Sequence, residues 1–438
     1  MTATTRTGVR TGARTVRTPA VPRSGGRAER PPERTRHEPD YPLVLAVVAL
    51  VAIGVLVVYS SSAIRIALDP GGDLVRSLLV ELGWVAFGAT VCVFLSFLDY
   101  RHLRAASVPL MGVALLLLIL VLLPPIGPIQ PIESGGAARW LKIGPLPQLH
   151  PAELGKLALL VYLAHWLARR GTRVRELRAG FLAYWAIAGT VIGLVLLEPD
   201  LGTAGVIGFA TLCLFLVAGG LLRYVVLAGP FVVMGVVLYV QSNPYQLERV
   251  TTYLDPWSVA LQQGFHTVQG LYALALGGLL GSGLGQSRAP GGLYLPNADN
   301  DYIFAMVGQE FGLVGGLIVI GLFLFFGYRG LRVAMSAADP FGMLLATGIT
   351  TILFIQAFLN IGVVVNLLPV TGITLPFISS GGTSLVVSLA AVGILLSVSR
   401  ETVTGDVTAD ADPDRGGRHG RAHLPRPRRP SLPRRRAA

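Results

Sequence analysis

Of the 36 basic residues in this 438-residue chain only two are lysines, Lys142 and Lys156, and both fall in one short stretch. A compact ammonium in an otherwise arginine-only chain marks a place where a point charge is wanted. Arg139, just upstream, offers a planar fork that can hold a phosphate through two hydrogen bonds. Glu153 and Lys156 are three residues apart, share a helix face and can pair, either within a site or as a structural ion pair. Further along, Asp301 stands where the polar run Asn297-Ala298-Asp299-Asn300 gives way to apolar residues. Partial desolvation there raises a carboxyl pKa and makes the group a better base, provided it is positioned against the hydroxyl it deprotonates. The same placement also suits a plain helix cap.

Four other places carry polar chemistry in apolar surroundings. Glu310, like Lys156, lies inside an apolar run, where a charge costs about 2.5–3.5 kcal/mol on insertion scales, so both are functional candidates. Asp200 sits in the helix-breaking corner Glu198-Pro199-Asp200-Leu201-Gly202-Thr203, placed to cap the segment that follows. Asp255 belongs to Tyr253-Leu254-Asp255-Pro256-Trp257. Ser379 and Ser384 belong to a Pro/Gly/Ser re-entry over 369–384, whose amides and hydroxyls either bind an anion or turn the chain. Cys92 and Cys213 both lie in apolar runs, which speaks against a disulfide framework or a metal site.

The elements that must position these groups are membrane spans. The chain is 52% hydrophobic and only 14% charged, against about 25% charged in soluble domains. Its apolar runs reach the roughly 20 residues needed to cross a bilayer. The expected architecture is an all-α polytopic membrane protein with ten spans: 41–60, 78–98, 108–126, 153–168, 179–197, 201–222, 224–240, 302–327, 341–364 and 382–399. A spanning backbone must satisfy its own hydrogen bonds, which makes each of them a helix. Arg101, Arg104, Arg169, Arg170, Arg173, Arg175, Arg178, Arg329 and Arg332 all fall in connections on one side if there are ten spans. By the positive-inside rule that side is the cytoplasm, and both termini are there. The opposite side receives a large extracellular loop, 241–301, between the seventh and eighth spans. Residues 1–40 and 401–438 are rich in Arg, Pro, Gly, Ser and Thr and are expected to be disordered basic cytoplasmic tails. They suit anionic headgroups or simply fix topology. Nothing aromatic or folded accompanies their charge, so nucleic acid is not an expected partner.

Taken in order, these motifs resemble the SEDS family, the FtsW/RodA/SpoVE proteins. The resemblance rests on Gly136-Ala137-Ala138-Arg139-Trp140, Pro151-Ala152-Glu153 through Lys156, and Glu198 through Thr203. It continues in Asp255-Pro256-Trp257, Gly283-Leu284-Gly285, Asp301-Tyr302-Ile303-Phe304-Ala305 and Leu368 through Ser384. It covers about 41–400, and the ending Leu395 through Glu401 looks more like the division-type FtsW branch.

The resemblance implies peptidoglycan glycosyltransferase activity on lipid II at the outer face of the cytoplasmic membrane. It implies Asp301 as the essential acidic residue, deprotonating the acceptor sugar hydroxyl while undecaprenyl pyrophosphate leaves. Arg139 and Lys156 would then neutralise the pyrophosphate; Glu153, Asp200, Asp255, Glu310, Ser379 and Ser384 are further substrate-binding candidates. It also implies a divalent cation, Mg2+ or Mn2+, and work with a class B penicillin-binding protein and other division or elongation proteins. This chain departs from the family pattern beside Asp301, reading Pro296-Asn297-Ala298-Asp299-Asn300, where a glutamate and a histidine are lost and Asp299 is gained. Asp299 thereby becomes a group able to share a proton or a metal with Asp301. Two rival expectations are a lipid II flippase and a non-catalytic scaffold for a transpeptidase.

Overall fold

The computed structural model describes residues 38–68, 73–134, 137–145, 147–286 and 298–401. The expected tails 1–37 and 402–438, the glycine pair 135–136 and residues 296–297 lie outside the described residues. In chain order the elements are helices α1 (Tyr41–Leu68), α2 (Leu74–Phe97) and α3 (His102–Leu122), then strands β1 (Ile129–Ser134) and β2 (Ala137–Ile143). Next come α4 (Pro151–Arg170), α5 (Ala183–Leu197), α6 (Leu201–Val217), α7 (Leu222–Ser242), α8 (Pro244–Leu254) and α9 (Phe265–Gly277). The chain closes with α10 (Ile303–Met335), α11 (Pro340–Val364) and α12 (Gly382–Arg400).

Each of the ten expected spans coincides with a helix. By length and apolarity eight helices among the described residues qualify to cross a membrane. The other two are α6, which has 17 residues, and α4, whose first turn carries Glu153 and whose last carries Arg169 and Arg170. The sequence reading missed the antiparallel β1–β2 hairpin, a two-stranded sheet pairing Ile129 with Ile143 and Pro131 with Leu141. It also left α8 and α9 unassigned inside the long segment before α10.

Apolar burial supplies little drive between helices surrounded by lipid, so close backbone approach matters more. A side-chain carbon at Gly393 of α12 would stand 2.4 Å from the Cys92 carbonyl of α2, and one at Gly330 of α10 would meet Thr350 of α11 at 2.3 Å. α11 and α12 are the inner helices, with 67% and 83% of their most apolar windows buried, whereas none of α7 is buried. An apolar helix that buries nothing is one whose solvent is lipid.

One end of the bundle is tied by charge. Asp339, at the N-terminus of α11, accepts from Arg101 at 3.2 Å, Arg104 at 3.0 Å and the Tyr100 hydroxyl at 3.0 Å. Arg101 also reaches Glu401 at 2.8 Å, and Arg329 pairs with Asp40 at 2.6 Å. The α2–α3 and α10–α11 connections and both ends of the described helical region therefore meet at this end.

α10 is not continuous. Gly312 has φ 69° and ψ −166°, a region open essentially to glycine alone. The glycine-rich segment after α9 enters the break. Ser282 and Gly283 amides donate to the Gln309 and Glu310 carbonyls at 2.9 and 3.1 Å, and Leu313 and Val314 amides donate to Gly278 and Leu279 at 2.9 and 3.2 Å. The groups freed by the break are thus satisfied by a second piece of backbone, as they must be away from water.

Candidate active site

The site gathers around Gly372, in the re-entrant segment between α11 and α12. Its φ is +72°, and a side-chain carbon there would stand 3.5 Å from Asp301 Oδ2, 3.8 Å from Arg249 Nη2 and 3.9 Å from Arg139 Nη1. A carboxylate and two guanidinium groups from three separate elements therefore converge on a spot that glycine leaves open.

Local structure aims each of them. Arg139 lies two residues before Leu141, which is wholly buried. Lys142 is exposed, and Arg139 is the residue passed over where Trp140 faces Ile132 and Ala138 faces Glu133, a bulge of the kind that re-aims a side chain. The Arg139 guanidinium is fixed by the Glu198 and Pro199 carbonyls at 3.3 and 2.7 Å. Arg249 lies one turn after Tyr245 on α8, and Tyr245 sits between both arginines, its ring 4.4 Å from Arg249 and 5.8 Å from Arg139. Arg249 also donates to the Tyr245 hydroxyl. A charge stacked on an aromatic face keeps its donors free for a ligand.

Asp301 immediately precedes the α10 N-cap Tyr302. Its backbone carbonyl accepts from Asn360 of α11 at 2.8 Å, and Asn360 also donates to the Ile373 carbonyl at 2.7 Å. Oδ1 is buried without a hydrogen-bond partner among the described residues. Burial pushes the Asp301 pKa up to about 6, with Arg249 and then Arg139 pulling it down and Asp200 and Asp299 adding to the rise. It is therefore a carboxylate at neutral pH that takes a proton more readily than an ordinary aspartate.

The re-entrant segment is tied to this corner twice. Ser379 Oγ donates to the Asn300 carbonyl at 2.7 Å and accepts from the Leu375 amide at 2.8 Å, while the Ser380 amide donates to the Asp299 carbonyl at 2.9 Å. Behind it, Lys156 donates to Glu153 at 2.8 Å and to Gln356 Oε1 at 2.7 Å. Gln356 donates to the Thr374 carbonyl at 3.0 Å, and Thr374 bonds Ser384 Oγ at 2.9 Å. Gln356 and Asn360, four apart on one face of α11, join the buried Glu153–Lys156 pair to the backbone of Asp301.

The structure does not bring every sequence candidate here. Asp200 caps α6 through the Thr203 amide at 2.9 Å and lies close enough to act on Asp301 electrostatically. Asp255 is exposed and accepts from the Ser258 amide at 3.3 Å; nothing joins it to Asp301 among the described residues. Glu310 is buried beside the Gly312 break, bonded to Ser60 of α1, and its Oε1 accepts from the Gly285 amide at 3.3 Å. Three contributors were missed in the sequence: Arg249, Gln356 and Asn360. Their signals were present, a lone arginine one turn from a tyrosine and two amides four apart in an apolar helix.

Glu198 is a further group of the corner. It is wholly buried, and both carboxyl oxygens lack partners among the described residues. Burial, with Asp200 adding to it, pushes its pKa up to about 9, so it is neutral at physiological pH. No three His, Cys, Asp or Glu side chains form a metal-sized cluster among the described residues. An apolar hollow of about 580 Å³ is walled by Trp84 and Phe87 of α2 with Pro147 and Leu149. Glu81, one turn before Trp84, is an electrostatic neighbour of Asp299.

A basic corner around one buried, raised carboxylate, carried by helices long and apolar enough to cross a membrane, defines a polytopic membrane protein with a candidate site for an anionic ligand. The profile of the FtsW/RodA/SpoVE family of cell cycle proteins matches residues 41–404, and the chain belongs to that family. It is 38% identical over 364 residues to Stage V sporulation protein E of Bacillus subtilis, covering 83% of this chain and 97% of that one. It is 39% identical to the probable peptidoglycan glycosyltransferase FtsW of Geobacter metallireducens, covering 82% and 94%. Among solved structures it superposes on a chain from a study of the coordination of polymerization and crosslinking by a peptidoglycan synthase complex. That match has a TM-score of 0.69 and 31% identity, covering 84% of this chain and 99% of the other. The rod shape determining protein RodA of Thermus thermophilus matches with a TM-score of 0.60 and 29% identity, covering 83% and 98%.

Proposed function

We propose that this chain is a peptidoglycan glycosyltransferase that polymerises lipid II into glycan strands at the outer face of the cytoplasmic membrane, with both termini in the cytoplasm. The observation that carries the reading is the convergence of Asp301, Arg139 and Arg249 on the space at Gly372. Asp301 takes the proton of the acceptor sugar's 4-hydroxyl as that oxygen bonds to the anomeric carbon of the donor. The bond from that carbon to undecaprenyl pyrophosphate breaks, the pyrophosphate leaves with the electron pair, and the linkage inverts from α to β. Arg139 and Arg249 face the developing charge, which in a water-poor site is stabilised far more than in bulk solvent. Lys156 and Glu153 act from behind, holding Gln356, Thr374 and Ser384 and so the segment bearing Gly372. The apolar hollow against Trp84 suits a polyprenyl chain.

A divalent cation fits this corner in the manner usual for magnesium, through one or two carboxylates plus substrate phosphate oxygens. The unpartnered Asp301 Oδ1 and the neighbouring Asp299 would hold it, and it would add positive charge at the pyrophosphate. The likeness to a synthase-complex chain supports a class B penicillin-binding protein as partner.

The test is polymerisation of purified lipid II by the full chain, with and without the transpeptidase. Asp301→Asn should give no glycan strands while keeping the thermal unfolding midpoint. Full activity in that variant would overturn the catalytic reading in favour of a scaffold. Precursor translocation in proteoliposomes that survives loss of Asp301, with no polymer from the unsubstituted protein, would favour a flippase.

A further inference from the structure

A second basic cavity lies at the charge-tied end of the bundle. Arg170 is fourteen residues beyond Lys156 on α4, about 20 Å of helical rise away. Around it a cavity of about 520 Å³ is lined by Arg169, Arg170 and Arg173, together with Tyr162, His165 and Trp166. Arg170 is fixed in place: its guanidinium stacks on Trp166 at 4.3 Å and Nη1 donates to the Ala179 carbonyl at 2.8 Å. Arg169 and Arg173 are exposed. His165, edge-on to Phe341 at 6.3 Å, has a buried Nδ1 without a hydrogen-bond partner among the described residues.

The charge here is unbalanced. Arg101, Arg104 and Arg329 at the same end each pair with a carboxylate. Among the described residues Arg169, Arg170 and Arg173 pair with none, although Glu176 follows them closely in the chain and is exposed. Three unneutralised guanidinium groups around one hollow repel each other, and an anion with several oxygens relieves that best through charge-assisted, bidentate bonds. The remaining wall indicates the source. Val108 of α3 lines the cavity and is 63% exposed, so the hollow opens beside an apolar outer surface. Tyr162 and Trp166 are the residue types that settle at the membrane–water boundary.

We propose that this cavity binds the phosphate of an anionic phospholipid headgroup, with Arg169, Arg170 and Arg173 on the phosphate oxygens and the acyl chains lying along the Val108 side of α3. The site is separate from the one around Asp301 and stands whether or not the polymerase reading does.

The test uses the full chain in nanodiscs of phosphatidylglycerol mixed with phosphatidylcholine, counting retained phosphatidylglycerol by native mass spectrometry. Arg169→Gln combined with Arg173→Gln should weaken retention of one phosphatidylglycerol by about tenfold or more, given the per-residue attraction of basic groups at anionic membranes. Arg175→Gln combined with Arg178→Gln, on the same connection but outside the cavity lining, should leave it unchanged. Equal loss in both pairs would mean diffuse attraction and overturn the site, as would no loss in either. Inorganic phosphate alone should not displace the lipid at millimolar concentration; if it does so fully, the ligand is a soluble anion and the lipid assignment falls. Unfolding midpoints of both variant pairs, measured in phosphatidylcholine alone, should match that of the parent, so that a loss reports binding and not folding.

Discussion

Asp301 was legible as a residue because it is the last carboxylate before an apolar run begins; the guanidinium that answers it was not. Arg249 belongs to none of the motifs quoted from the sequence, and only the packing of α8 brings it to Gly372. Its effect is measurable. Base work needs Asp301 ionised, so with a pKa of about 6 polymerisation should fall on the acid side with a midpoint near that value. Removing Arg249 removes a charge that favours the ionised form, so Arg249→Gln should move this limb to higher pH. Asp299→Asn removes a repelling charge and should move it lower. A limb that stays put in both variants would argue that another group sets it. Glu198 gives a contrasting case. With its pKa at about 9 it is already neutral at pH 7, and Glu198→Gln keeps both shape and charge. Activity and unfolding midpoint of that variant should stay close to the parent's, whereas Glu198→Ala leaves a cavity and should lower the midpoint.

Elements were read from hydrophobic runs, which is why every long helix was found and the β1–β2 hairpin was not. Its alternation is short, interrupted by Pro131, and irregular between Ile132 and Glu133, so it read as polar loop. The α10 break was equally hidden, because Gly312 stands in an apolar run with other glycines such as Gly321 that are ordinary helix residues. Structure separates them. A side-chain carbon at Gly312 would stand 2.4 Å from the Gly281 amide nitrogen, whereas one at Gly321 meets nothing within 4 Å. Gly312→Ala should therefore lower the unfolding midpoint by an amount corresponding to about 1–3 kcal/mol or more, and Gly321→Ala should not lower it. Asn360 ties α11 to both Asp301 and Ile373. Asn360→Leu strands two carbonyls at about 1–3 kcal/mol each and should cost polymerisation even where the protein stays folded. Normal turnover in that variant would show that the tie is not needed for chemistry.

At the scale of the whole molecule, two of the connections that arginine placement assigned to one side, α2–α3 and α10–α11, meet in the Asp339 cluster together with Glu401. Burial works against the charge of Asp339, yet the Gly342 amide and Arg104 outweigh it and hold the carboxyl below its usual range. Its stabilising contribution is therefore full above the unfolded carboxyl value of 3.8 and disappears as pH falls through the lower folded value. Asp339→Ala, which removes a helix cap together with two ion pairs, should cost about 1–3 kcal/mol, read as a lower unfolding midpoint at neutral pH. What sequence could not supply was which polar loops converge at the other end, because strand pairing, re-entry and a broken helix are all long-range. The break in α10 bears finally on how the chain is made. Gly278 and Leu279, Ser282 and Gly283 all precede Gln309 through Val314, so the edge that receives the unwound turn leaves the ribosome before the turn does. The groups that the unwound turn leaves unpaired thus have their partners already synthesised when the later half of α10 is made.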